Sequence, residues 1–388
     1  MQRIKTHDPA EFLAIQYCPK AQYGIALSLC LFTLQNLITL SFYCQSMSPS
    51  QSQRARASGK VTLADVAAKA GVAAMTASRA INQPELVSAA LRERVGRAVA
   101  ELGYVPNRAA RALASAQSNV IVVLVPSLSN AVFTEVLAGI QDALDTGHYQ
   151  ILIGNTRYSD AEEEKLLGIY LQSHPDGILL SGMTHSPRVE QMLGSSQIPA
   201  VSMMDLDDSG QRLSVGFSQQ QAGYTMTRYL LERGHKRIGF MGAQLDERTL
   251  KRAEGYRQAM QEAGLHDRQL EVMVSDPSTI ALGAELLGRM LSVAPDCDAI
   301  FCCNDDLAHG AIYQCQRRGI QVPEQIAICG FNDLPASAWM KPSVTTISTP
   351  RYRVGYEAAL LLRSAIRKEA IAQTRIDLGF TLMARESA

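Results

Sequence analysis

From residue 119 onward the chain alternates short, mainly apolar runs with amphipathic stretches. The apolar runs lie at 120–125, 150–154, 177–180, 200–204, 213–217, 237–241, 271–274, 299–303 and 326–331. Between them, apolar positions recur with a helical period at 133–145, 162–172, 220–233, 250–263, 280–291 and 307–318. Mainly apolar runs suit strands buried on both faces, and regular strand–helix alternation predicts an α/β domain of parallel sheets covered by helices.

The pattern over residues 61–102 is different, and all-α. Thr62 followed by Asp65 marks a helix start. Leu63, Val66, Ala67 and Ala70 form one apolar face, Gly71 permits a turn, and Val72 packs inward. A second short helix from about Ala74 to Ile81 exposes Ala74, Met75, Thr76, Ser78, Arg79 and Asn82. A third at 89–101 turns Leu91, Val95, Val99 and Leu102 toward the first two. Two short helices across a glycine turn describe a helix-turn-helix. Small and polar residues on the second helix suit a DNA major groove, where Arg79 can reach a guanine edge or a phosphate.

The first 46 residues match neither pattern. Between Lys20 and Arg54 there is no charged residue, and 24–44 is long enough for a membrane span, although Gln35 and Asn36 sit at its centre. Residues 47–59 then form a polar leader. The favoured reading of 1–46 is a non-native extension from a start codon placed too early, with a membrane anchor as the alternative.

Charge changes the picture once it is divided by region. The 388 residues carry 37 basic and 37 acidic side chains. Residues 54–120 hold ten basic and four acidic residues, whereas the remainder of the chain after 120 is acidic by seven. The zero total therefore hides a basic head of the kind that binds nucleic acid. The eight cysteines include no Cys-x-x-Cys and no zinc-like spacing, and read as buried reduced thiols.

In parallel α/β sheets ligands bind at the carboxyl ends of strands. Ser127 and Phe133, Asp205, Arg248, Asn304 and Asn332 follow such ends here. Arginine forks onto a carboxylate, Asp and Asn pair with hydroxyls, and Phe133 can wall a carbon chain. No glycine-rich phosphate loop, Gly-x-Ser-x-Gly elbow or histidine cluster occurs, so a catalytic role is disfavoured. His185 reads as a surface-loop histidine.

Thr-Leu-x-Asp-Val-Ala from Thr62, Ala-Gly-Val from Ala70, Thr-x-Ser-Arg from Thr76, Leu-Gly-Tyr-x-Pro-Asn-Arg from Leu102 and Ala-x-x-Leu from Ala110 together resemble the headpiece of the LacI/GalR family of regulators. The resemblance implies that Thr62, Leu63, Ala74, Met75, Thr76, Ser78, Arg79 and Asn82 face DNA. It implies that Asn107 and a hinge helix at 108–114 dock in the minor groove, with Leu113 as an apolar wedge. Ala73 stands where the family often has a phosphate-binding serine. Pro126-Ser127 with Phe133, Arg252-x-x-Gly255, Cys303-Asn304-Asp305 and Ile328-Cys-Gly-Phe-Asn-Asp333 extend the likeness.

The family then implies a two-lobed periplasmic-binding-protein-like sensor, with Ser127, Phe133, Arg252, Asn304 and Asn332 around the effector. Asn332 replaces the family's usual aspartate. Leu245-Asp-Glu-Arg-Thr249, Val201-Ser-Met-Met-Asp205, Thr184-His185 and Leu378-Gly-Phe-Thr-Leu382 resemble the family's gluconate-operon repressors, which implies an aldonate effector with Arg248 or Arg252 on its carboxylate.

The expected organisation is a DNA-binding domain at 60–105, hinge and linker at 106–118, and an effector-binding and dimerisation domain at 119–388 whose lobes are crossed near 217, 347 and 377. The expected protein is a cytoplasmic, nucleoid-associated homodimeric repressor on double-stranded operator DNA, with no cofactor or metal. The competing readings are a regulator answering 2-ketogluconate, another sugar or a purine, a membrane-tethered sugar-binding protein, and an enzyme of doubly wound fold.

Overall fold

The computed structural model describes residues 61–106, 117–145 and 149–388. The expectations for residues 1–60, Asn107, Leu113 and the hinge helix lie outside the described residues. The chain divides into two compact units with the boundary after Pro106.

In the first unit, α1 (Leu63–Ala70) opens on a reciprocal cap. The Thr62 hydroxyl accepts from the Asp65 amide, and the Asp65 carboxylate accepts from the Thr62 amide at 2.9 Å. Gly71 ends α1 with φ 62, a left-handed conformation that costs glycine little and other residues more. α2 (Ala74–Asn82) and α3 (Ala89–Leu102) complete the unit. Val66, Ala70, Ala80, Val95 and Ala98 form its core, with Val72, Leu91 and Leu102 packed against them. Three of the five core residues are alanine, so the helices approach closely over a small buried volume.

The second unit is built on two parallel sheets. The larger sheet has the order β11-β5-β4-β3-β1-β2, from β1 (Val120–Val125), β2 (Gln150–Asn155), β3 (Gly177–Ser181), β4 (Ala200–Met203), β5 (Leu213–Gly216) and β11 (Arg375–Asp377). The smaller has the order β7-β6-β8-β9, from β6 (Ile238–Gly242), β7 (Glu271–Met273), β8 (Ala299–Cys302) and β9 (Ala327–Cys329). Strand β1 reads Val-Ile-Val-Val-Leu-Val and is buried from Ile121 onward, because neighbours flank it and helices cover both faces. The other described helices are α4 (Ala131–Leu144), α5 (Asp160–Leu171), α6 (Pro187–Ser196), α7 (Gln219–Glu232), α8 (Glu247–Glu262), α9 (Ile280–Val293), α10 (Asp305–Arg318) and α11 (Arg351–Ile366).

The chain leaves the larger sheet after Gly216, returns between β10 (Thr346–Ser348) and α11, and leaves again between β11 and β12 (Thr381–Met383), which pairs antiparallel with β10. Helix α7 lies so close to α8 that a Cβ on Gly223 would strike the Arg252 backbone and one on Gly255 the Gln220 backbone. This contact seats the helix that carries Arg252.

Three short strands, β10 to β12, and the helices α6 and α11 were not singled out in the sequence. These three strands lie outside the longer apolar runs, and they exist through pairing with residues far away in sequence. Among the described residues no helix is long and apolar enough to cross a membrane, and no cluster of three or more metal-ligating side chains occurs.

Candidate functional site

On the first unit the candidate residues share one outward surface. Ala74, Met75, Arg79 and Asn82 are exposed on α2, while Ala77 and Ala80 face the core. Met75 is 76% exposed, an apolar side chain turned largely to water. Asn82 Nδ2 donates to the Ser78 carbonyl at 3.0 Å, which fixes the carboxamide along the helix. Thr76 and Ser78 are half-buried on the same helix, and Thr62 and Leu63 are half-buried at the start of α1. Ala73 caps α2 without a side-chain bond, so the first amides of the recognition helix have no side-chain acceptor at that position. Such amides and Arg79 can meet phosphate, and Met75 can meet a thymine methyl group.

The second unit gathers its candidate residues where strand ends of the two sheets face one another. Asp246 caps α8 by accepting from the Thr249 amide at 2.9 Å, and it also accepts from Arg248 Nη2 at 2.5 Å. Burial pushes the Asp246 carboxyl up, but the charge of Arg248 and the Thr249 amide outweigh it and bring it down to about 2. Arg248 reaches across to the larger sheet. Its Nη1 donates to Ser181 Oγ at 3.3 Å, and its guanidinium lies 5.2 Å from the Phe133 ring centroid. One turn further along α8, Lys251 Nζ donates to Asp205 at 2.5 Å and to Glu247 at 2.9 Å. Burial of Asp205 still outweighs Lys251 and raises its carboxyl above the ordinary value. Glu247 Oε2 accepts from the Thr184 amide at 3.0 Å, so α8 holds the loop after β3.

Arg252 differs from Arg248. Its Nε donates to Gln219 Oε1 at 2.9 Å, its Nη1 donates to the Cys303 carbonyl at 2.6 Å, and its guanidinium lies 3.7 Å from the Phe331 ring centroid. Among the described residues no carboxylate lies within ion-pair distance of it. Burial pulls the guanidinium down to about 10 despite the nearby charge of Asp246, a value that still leaves it cationic at neutral pH. A cation held in this way is one charge short of a partner.

The remaining expected residues are less available. Ser127 Oγ accepts from the Asn130 amide at 3.1 Å and shapes the turn into α4. Asn304 caps α10 by accepting from the Leu307 amide at 3.1 Å and donates to Ser278 at 2.7 Å. Asn332 is buried at φ 106, and its Oδ1 has no hydrogen-bond partner. The structure therefore brings Phe133, Arg248 and Asp205 into one cross-lobe set with Ser181, Asp246, Glu247 and Lys251. Arg252 lies deeper, against Phe331.

One expectation is corrected. The His185 imidazole is 1% exposed rather than on the surface, and its Nδ1 lies 3.0 Å from Glu163 Oε2. The partner sits 22 residues earlier on α5, a pairing no local pattern reveals. Tyr158, Glu163, Asp246 and Lys251 were also missed. Asp246 had a legible signal, since an acidic residue just before Glu247 and Arg248 is a helix-cap pattern.

The second unit contains Ser, His and Asp in one hydrogen-bonded chain, but in an order that disfavours nucleophilic catalysis. Ser337 Oγ donates to Asp305 at 2.8 Å and accepts from His309 Nε2 at 2.9 Å. The serine thus sits between its partners and is fully buried, whereas a nucleophile needs its base at the hydroxyl proton and an approach for substrate. The five described cysteines are free and buried, and burial pushes Cys297, Cys303 and Cys315 up to about 11.

Comparison with known proteins agrees with both units. Residues 62–107 match the bacterial regulatory proteins of the lacI family, and residues 118–385 match the periplasmic binding proteins and sugar binding domain of the LacI family. The chain is 48% identical over 332 residues to the HTH-type transcriptional regulator GntR of Pseudomonas aeruginosa, covering 86% of this chain and 97% of that one. It is 51% identical to the transcription regulator GntR from Chromobacterium violaceum in its crystal structure, with a TM-score of 0.68 over 69% of this chain and 98% of that one. The crystal structure of the lac repressor dimer bound to operator and an anti-inducer superposes with a TM-score of 0.75 at 25% identity, over 84% of this chain and 99% of that one. With a helix-turn-helix of matching sequence and a two-sheet sensor of matching fold, the chain belongs to the LacI family of bacterial regulatory proteins.

Proposed function

We propose that the protein is a homodimeric repressor of genes for sugar-acid use, released from its operator when gluconate or a related aldonate enters the cleft of its sensor. The relatives named GntR support the regulatory class. The observation that carries the ligand class is Arg252, a buried cation whose contacts are an amide, a carbonyl and a ring. An effector carboxylate supplies the missing charge through a forked pair. Arg248, already neutralised by Asp246, orients Phe133 and Ser181 instead.

Asp205, Asn304, Asn332 and Ser127 supply hydroxyl partners, all but Asn332 while making or releasing bonds within the protein. In the head, Arg79 and Met75 read base edges, and Thr62, Leu63, Ala74, Thr76, Ser78 and Asn82 complete the surface. Asn107 and Leu113 act at the hinge, between a DNA-binding domain ending near 105 and a sensor beginning near 119. The protein works in the cytoplasm, where operator and metabolite meet.

Lys251–Asp205 and Glu247–Thr184 tie the lobes at the mouth of the cleft. A ligand that binds one lobe arrangement better than the other shifts both, and by linkage the operator and effector weaken each other by the same factor. A gel shift of an operator fragment with gluconate, 2-ketogluconate and 6-phosphogluconate tests the reading. Release by at least one is expected; retention of the complex with all three contradicts it.

A further inference from the structure

The cleft contains one buried polar atom that the contacts so far leave unused. The loop after β3 carries His185 into the wall of a cavity of about 290 Å³ that also includes Glu163, Tyr158, Ser181, Glu247 and Arg248. His185 Nδ1 lies 3.0 and 3.1 Å from the two Glu163 oxygens, and the two side chains are only 1% and 11% exposed. A carboxylate accepts and does not donate, so the ring gives Nδ1–H to Glu163. Nε2, an acceptor in the neutral ring and a donor in the cationic one, is buried with no hydrogen-bond partner among the described residues.

An orphaned buried polar nitrogen is costly and uncommon in a folded protein. Here it belongs to a residue that lines a polar cavity, on a loop held closed by Glu247 from the other lobe through the Thr184 amide. A ligand hydroxyl can donate to such a nitrogen or accept from it, and a polyol chain offers several. Glu163 serves by fixing the tautomer and the ring plane, and so acts through His185 rather than on the ligand.

We propose that His185, positioned by Glu163, shares a hydrogen bond through Nε2 with one hydroxyl of the sugar-acid effector, and so sets which sugar acids the cleft admits. The inference rests on the aldonate reading above and adds a specificity-determining residue to it. A set of gluconates, each lacking one hydroxyl, tests it by calorimetry on the full-length protein. Wild type is expected to bind gluconate and to lose about tenfold in affinity toward one member of the set. In His185→Ala, gluconate itself is expected to fall by a similar factor, with no further loss on removing that same hydroxyl. Glu163→Gln should weaken gluconate less and partly retain the discrimination, which separates positioning from contact if the alanine variant folds poorly. Unchanged gluconate affinity in both variants, or an undiminished penalty for that hydroxyl in His185→Ala, overturns the proposal while leaving the aldonate reading intact. Wild type binding no aldonate overturns both.

Discussion

The recognition helix and the effector cleft hold their candidate residues in opposite ways. On α2, Met75 and Arg79 are exposed, and among the described residues Arg79 forms no ion pair. In the cleft, Arg248, Lys251, Asp205 and Asp246 are tied to one another, and only Arg252 lacks an opposite charge in contact. The difference teaches what each site needs. A surface site is completed by its partner alone, so its residues can change without disturbing the fold. A cleft must stand when empty, so most of its charges are matched internally, and selectivity falls on the few groups left unmatched.

The sharpest way to break this comparison is Arg252→Met. Removing one member of a buried charge pair in a complex costs about 2–5 kcal/mol, so gluconate affinity should fall at least about thirtyfold. Stability of the unliganded protein should change by less than about 1 kcal/mol, because loss of an unmatched buried charge offsets the bonds lost at Gln219 and Cys303. Calorimetry and urea unfolding on the same sample check both halves.

On the exposed side, Arg79→Ala is expected to weaken the operator complex by about 1–3 kcal/mol and to leave gluconate affinity unchanged. Fluorescence anisotropy at fixed salt measures the first and calorimetry the second. A drop in effector affinity would show that the two sites are less separable than their burial implies.

Gly71→Ala should destabilise the head by about 1 kcal/mol, since φ 62 is a left-handed position and no neighbouring atom obstructs a Cβ there. Thermal unfolding would show it.

The smallest effect concerns pH, and it asks whether burial by itself makes a site. The chain Asp305–Ser337–His309 is as buried as Arg252 but satisfied within itself. Burial pulls His309 from 6.5 down to about 4, so the unfolded chain binds a proton that the fold refuses; stability present above pH 6.5 is lost as pH falls toward 4. Burial pushes Asp305 from 3.8 up to about 6, which acts oppositely: its share is full below 3.8 and lost as pH rises past 6. His309→Gln should therefore soften the loss of stability between pH 7 and 5 by on the order of 1 kcal/mol, read as urea midpoints, with no change in gluconate or operator affinity.

Legibility followed the same division. The head was readable because its signals are local: a cap across Thr62 and Asp65, a turn at Gly71, and a face repeating every three or four residues. Nine strands were readable from apolar runs, whereas β10, β11 and β12 lie outside such runs and exist only through distant pairing. In the cleft, residue types were legible but their engagements were not. Arg248 and Arg252 look alike in sequence, and only the fold gives Asp246 to one and a ring and a carbonyl to the other. His185 was misplaced for the same reason, since Glu163 reaches it from another helix.

The central claim is that a sugar acid entering at Arg252 releases the head from DNA. The most direct measurement is anisotropy of a labelled palindromic duplex, selected by the protein from a random pool, titrated with and without gluconate at constant salt. Wild type should lose at least about tenfold in DNA affinity, some 1.4 kcal/mol of coupling, while Arg252→Met binds the duplex equally well and ignores gluconate. Unchanged wild-type affinity in gluconate, or a full response from Arg252→Met, would contradict the account.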